Sequence, residues 1–160
     1  CEFLDFNIIA DAVPENAVEA LNDVFPEGLR AIEIYPLEDG GMKVGAIAWS
    51  QYRITWGFED GIPSGFLPAV RELFGRQKVE IVKRSKRGEK TVNMKELMRD
   101  LTLSEEDGEV VAVVTTAAGN NNMSPEYLTR AIRQYLPQFD IPFCAYHRLN
   151  VFTADDTPFR

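Results

Sequence analysis

From Val44 to Phe152, stretches patterned for strand alternate with stretches patterned for helix, and this order constrains the fold more than any other feature of the chain. VGAIAWSQYRITW (44–56) reads as a long strand, and PSGFLPAVRELFG (63–75) as a helix with Leu67, Val70, Leu73 and Phe74 inward. KVEIVKR (78–84) then reads as the return strand and SKRGEK (85–90) as a turn. KTVNM, a short KELMRDL of ambiguous period and a strand around LTLS follow. Asp107-Gly108 is a hairpin signal, and EVVAVVTTA (109–117) is a strand by its β-branched content.

Ser124 and Pro125 open the last helix, the hydroxyl as a cap and the proline in the first turn, with Leu128, Ala131, Ile132, Tyr135 and Leu136 as its buried stripe. Pro137 and Pro142 end it, and FCAYHRLNVF (143–152) is the closing strand. Upstream, EFLDFNII (2–9) alternates as a half-buried strand and Pro14 starts a helix on Ala17, Val18, Leu21, Val24 and Phe25. FPEG (25–28) ends that helix, and LRAIEIY (29–35) is the next strand. One helix and two strands cannot cover both faces of a sheet, so residues 1–38 are expected to be a partial β-α-β unit. PLEDGGMK (36–43) is the boundary, and residues 44–160 are expected to form a complete unit. The fold class is α+β, ferredoxin-like, an antiparallel sheet with helices on one face.

Charge is distributed unevenly along this order. Residues 76–95 hold eight of the 17 Lys and Arg but only Glu80 and Glu89 of the 25 acidic residues, so a segment of +6 sits in a chain of net −8. Lys83, Arg84, Lys86, Arg87 and Lys90 flank Gly88 and are expected to crowd one hairpin tip. Cations on a β-ribbon contact phosphates through counterion release, and Tyr52 and Trp56 are the aromatic residues that would stack bases if the fold brings them near. The same charges also keep a sheet edge soluble, a role that needs no ligand.

Other candidates carry less. AAGNNNMSPE (117–126) joins a strand end to a helix start but lacks both the dinucleotide glycine spacing and the phosphate-loop Lys-Ser/Thr. His147, the single histidine, alternates with Phe143, Ala145, Leu149 and Val151 toward the expected core, with Cys144 on the opposite face. The pairs Glu15 with Glu19, Glu59 with Asp60 and Glu105 with Glu106 are explained by solvation. Nothing in this set specifies an enzyme. Two cysteines and one histidine supply neither a structural metal site nor a disulfide framework, and no cofactor is expected on the chain. No apolar run spans a bilayer and no leader precedes the first strand, so a cytoplasmic, membrane-free protein is the default expectation. Cys1 raises the alternative of a processed lipoprotein, against which the uninterrupted run into EFLDFNII argues.

FPEGLRAIEIYPL (25–37), QYRI (51–54), TVNMKEL (91–97) and MSPEYLTRAI (123–132) occur in the order seen in an uncharacterised bacterial radical SAM-linked domain family, which the chain resembles over nearly its whole length. Asn93 departs from the resemblance, standing where the family pattern has an acidic residue, and the family's amino-terminal β-α portion is missing before Cys1. The resemblance implies an accessory domain fused to or encoded beside a radical SAM protein with a cobalamin-type domain, near ribosome and RNA-processing genes. A radical SAM cluster needs three closely spaced cysteines, so any cluster belongs to the partner. The resulting expectation is a non-catalytic accessory domain that engages RNA or a ribonucleoprotein through the basic hairpin. The alternative is a protein-interaction module whose hairpin docks on an acidic surface, with no nucleic acid.

Overall fold

A computed structural model describes residues 3–9, 12–37, 41–85 and 88–159. The chain divides into two compact units, Glu2–Val44 and Gly45–Arg160.

Among its described residues the first unit contains one α-helix, α1 (Ala17–Val24), which buries none of its residues. Phe25 closes it by donating its N–H to Leu21 O at 3.0 Å, and Gly28, at φ +88°, turns the chain back. Neither of the two strands expected here forms: the described parts of EFLDFNII and LRAIEIY carry no sheet pairing. A strand is held by its neighbour's ladder, and alternation alone does not supply one. Asn22 stands in for a neighbour at one point, where its Oδ1 accepts the Ala31 N–H at 2.7 Å and its Nδ2 donates to Ala31 O at 3.1 Å.

The second unit runs β1 (Trp49–Gly57), α2 (Phe66–Gly75), β2 (Glu80–Ser85), β3 (Gly88–Asn93), β4 (Met98–Glu106), β5 (Glu109–Ala117), α3 (Glu126–Tyr135) and β6 (Phe143–Phe152). The four-stranded sheet has the order β4-β5-β1-β6 with every neighbouring pair antiparallel, while β2 and β3 form a separate ribbon. With the ribbon set aside, the order is β-α-β-β-α-β, the split βαβ arrangement of ferredoxin-like α+β folds. KVEIVKR is therefore not the return strand. That role belongs to β4, and β2 instead finds its partner in β3 across a short turn. Periodicity marks a stretch as strand without saying which neighbour it will take.

The Asp107-Gly108 hairpin forms as its residues dictate, with both at positive φ, +51° and +81°. The helices supply the core with Phe66, Leu67, Val70, Leu73 and Phe74 from α2 and Leu128, Ala131 and Ile132 from α3, against Ile54, Trp56, Val110, Ala112 and Val114 from the sheet. Phe66 lies edge-on to Trp56, Phe58 and Phe139, with ring centroids 6.3, 4.9 and 5.3 Å away, contacts worth about 0.5–1.5 kcal/mol each beyond the buried area. The fully buried Trp56 donates its indole N–H to Thr129 Oγ1 at 2.8 Å, and Tyr146 donates its hydroxyl to the same oxygen at 2.8 Å. Burial pushes the Tyr146 phenol up to about 12, so it stays a donor.

Candidate functional site

The ribbon grows out of the core. Val79, Ile81 and Met94, at its base, are buried with the helix side chains. Asn93 locks the base: its Oδ1 accepts the N–H groups of Val79 at 3.0 Å and Lys95 at 3.3 Å, and its Nδ2 donates to Gln77 O at 3.4 Å. An aspartate there would keep both accepted bonds and lose only the donated one, which accounts for an acidic residue being compatible with the same position. Lys95 Nζ donates to Phe74 O at 2.7 Å and ties the end of α2 to the same base.

Toward the tip, register decides where the cations go. Lys83 pairs with Lys90 and Arg84 with Glu89, so alternation places the two lysines on the face continuing from Ile81 and Val92, and Arg84 with Glu89 on the other. Arg84 Nε meets Glu89 Oε1 at 2.7 Å. With side chains 78% and 57% exposed, that pair contributes at most about 1 kcal/mol, but it neutralises its rung. The lysine rung has no acid: neither Lys83 nor Lys90 forms an ion pair among the described residues. Lys86 and Arg87 lie outside the described residues. Of the five cations expected around the tip, the three described divide between the faces of the ribbon: Lys83 and Lys90 share one, and Arg84, neutralised by Glu89, lies on the opposite one.

The outer edge of β2 is met by α3. Tyr135 accepts the Glu80 N–H at 3.1 Å and donates to Glu80 O at 3.0 Å, and Gln134 Nε2 donates to the same carbonyl at 3.3 Å. One end further along, the Tyr127 hydroxyl accepts the Arg84 N–H at 3.4 Å. The match is geometric, since eight helical residues rise ~12 Å and four strand residues ~13 Å. Two tyrosines thus stand in for the missing neighbour strand. Arg130, one turn beyond Tyr127, holds its guanidinium 5.2 Å from the centre of that ring. Sequence reasoning missed both residues as companions of the hairpin, because more than 30 positions of chain separate them from it; only the helical spacing of Tyr127 to Arg130 was visible.

The aromatic residues expected to help are placed otherwise. Trp56 is fully buried, and half-buried Tyr52 accepts a hydrogen bond from Arg148 Nε at 3.1 Å. His147 is exposed, on the sheet face turned away from the helices, and not in the core as alternation predicted. The cause is a bulge: Gln51 pairs with Asn150 and Tyr52 with Arg148, leaving Leu149 unpaired and reversing the phase between His147 and Val151. Cys144 lies on the core side, 3.4 Å from the Tyr146 hydroxyl. In the loop at 117–126, Gly119–Asn121 forms a 3-10 turn and Ser124 Oγ accepts the Glu126 N–H at 3.4 Å. Among the described residues no three His, Cys, Asp or Glu side chains converge as a metal site would, and no helix is long and apolar enough to cross a membrane.

The open face of the sheet carries the other prominent charges. Arg53 NH2 meets Glu106 Oε2 at 2.8 Å, and this bond, with a second from Ser104, holds the Glu106 carboxyl below its ordinary range. Arg99 lies 4.4 Å over the Trp49 ring, makes a two-pronged contact with Asp156 and approaches Asp100 at 3.5 Å. It borders a shallow cavity of about 290 Å³ whose lining includes Gln51, Thr115 and Phe152. This clasp fixes the turn after β6, where Phe152 bridges Pro158.

No curated protein and no solved structure matches the chain significantly. A family model matches residues 1–125, which is most of the chain and includes the whole ribbon, so the chain belongs to the family described as an uncharacterized protein conserved in bacteria (DUF2344).

Proposed function

We propose that this domain is a non-catalytic accessory module working beside a radical SAM protein, and that its ribbon contacts RNA or a ribonucleoprotein. The observation that carries the RNA contact is the lysine rung. Like charges directly opposite one another on a ribbon destabilise it by tenths of a kcal/mol, and an anion placed between Lys83 and Lys90 removes that cost. The arginine rung beside it is already neutralised by Glu89, so the lysine rung is where a phosphate gains most.

A protein partner is supported by a different surface. Nine of the twelve large apolar side chains exposed among the described residues, Leu4, Ile9 and Ile32 among them, fall in residues 3–44. That segment holds nine acidic residues against two basic, a composition that repels a polyanion and suits a protein contact. The radical SAM identity of the partner rests on the resemblance in sequence alone.

The test is binding of the purified domain to a labelled single-stranded RNA across a salt series, for the natural chain and for a Lys83→Gln, Lys90→Gln double variant. Binding that weakens with salt, and is weaker in the variant, supports the RNA contact. Equal binding by both removes the rung from it. The reading in which the hairpin docks on an acidic protein surface predicts partner capture that survives nuclease treatment and fails in the double variant.

A further inference from the structure

We propose that Tyr127 and Arg130, on the first turns of α3, complete the ribbon into a single-stranded RNA site, with a base stacked on the Arg130 guanidinium and the adjoining phosphate at the Lys83–Lys90 rung. The inference rests on the RNA reading of the ribbon and deepens it by naming the strand state and the stacking group.

Among the described residues of the second unit three guanidinium groups lie over aromatic rings, and their surroundings differ. Arg99 over Trp49 is bound to Asp156, and Arg148 over Tyr52 donates its Nε to that tyrosine's hydroxyl. Arg130, exposed over Tyr127, has neither an ion pair nor a hydrogen bond from its guanidinium among the described residues. The Tyr127 hydroxyl accepts the Arg84 N–H at 3.4 Å, a long bond that ties the ring to the ribbon, and the Arg130 guanidinium, one helical turn on, lies over that ring. The group is therefore charged, exposed and seated over a ring tied to the ribbon. Planar guanidinium and aromatic surfaces are what unpaired bases stack on, whereas a duplex keeps its bases inside and offers only backbone.

The same bond joins this plane to the lysines. Arg84 follows Lys83 directly, so the backbone group that Tyr127 holds lies one residue from the rung. Phosphate chelation and base stacking are thus offered side by side, by β2, β3 and α3 of one unit.

Substitution of Arg130 by Lys tests the assignment, because it keeps the charge and removes the plane. The probes are single-stranded oligouridine, a duplex RNA of equal length and inorganic polyphosphate, with the thermal midpoint of each variant measured in parallel. The expected result is that R130K weakens oligouridine binding about tenfold, the size of one lost base stack. Binding of duplex RNA and polyphosphate stays unchanged. If R130K binds oligouridine as the natural chain does while Lys83→Gln, Lys90→Gln loses it, the ribbon reading stands and the stacking site is overturned. If the natural chain binds polyphosphate and oligouridine equally, the site is a charge patch and the inference fails. If it binds neither, the RNA reading fails and takes the inference with it. Tyr127→Phe, which keeps the ring but releases the ribbon, is expected to weaken oligouridine binding less than R130K.

Discussion

The four-stranded sheet and the two-stranded ribbon are both antiparallel and both display cations, yet they settle those charges in opposite ways. On the sheet, Arg53 is held by Glu106 and Arg99 by Asp156 and Asp100, so each guanidinium fastens one element to another. On the ribbon, one rung is closed by Arg84 with Glu89 and the next is left as Lys83 facing Lys90. The edges differ as well. The outer edge of β2 is covered by tyrosine hydroxyls from α3, where the inner strands of the sheet, β5 and β1, are flanked by other strands. An arginine with a carboxylate is committed to the fold, while a lysine facing a lysine is available to something outside it.

The comparison breaks first at the root. If the ribbon shares the core of the sheet, Met94→Ala lowers the stability of the whole second unit by about 2–5 kcal/mol, read as one cooperative thermal transition at a lower midpoint. An unchanged midpoint would make the ribbon a separate flap. Next in size is the binding contrast. Neutralising Lys83 and Lys90 flattens the dependence of log affinity on log salt by about 1.4, whereas Arg53→Gln leaves it as it was. Equal slopes from both would erase the distinction between available and committed cations.

Smaller effects sharpen it. Tyr135→Phe strips Glu80 of two backbone bonds and is expected to cost about 1 kcal/mol in chemical denaturation, with faster amide exchange along β2 than along β5. Lys83→Gln alone is expected to raise stability by a few tenths of a kcal/mol at low salt, a gain that vanishes as salt screens the rung. The smallest is a titration. Because the folded Glu106 carboxyl is depressed by Arg53, its stabilising share is present above the ordinary carboxylate value and is lost as pH falls through the lower folded one. Arg53→Gln should move the Glu106 carboxyl resonance back up toward the ordinary range, and no movement would remove Arg53 as the main cause.

Much of this was written locally. The inward stripe of α2, Leu67, Val70, Leu73 and Phe74, is buried as its period requires, and Asp107-Gly108 turns where the dipeptide says. The cations of the hairpin were legible too, but their rungs were not, because whether Lys83 faces Lys90 or Glu89 depends on a register that composition does not carry. His147 was placed wrongly because a single unpaired residue, Leu149, inverts every alternation beyond it. The segments around Phe6 and Ile32 alternate well and still form no strand, for want of a neighbour.

What the sequence determined alone is the list of elements and the sign of the charge on one of them, since periodicity, turn residues and ionisable groups act over a few positions of chain. What the tertiary structure decided is which strand answers which, and therefore that the Tyr127 hydroxyl meets the backbone one residue from the lysine rung. Pairing and packing are settled by the backbone bonds and apolar surface that distant segments can satisfy together, and those are properties of the assembled chain.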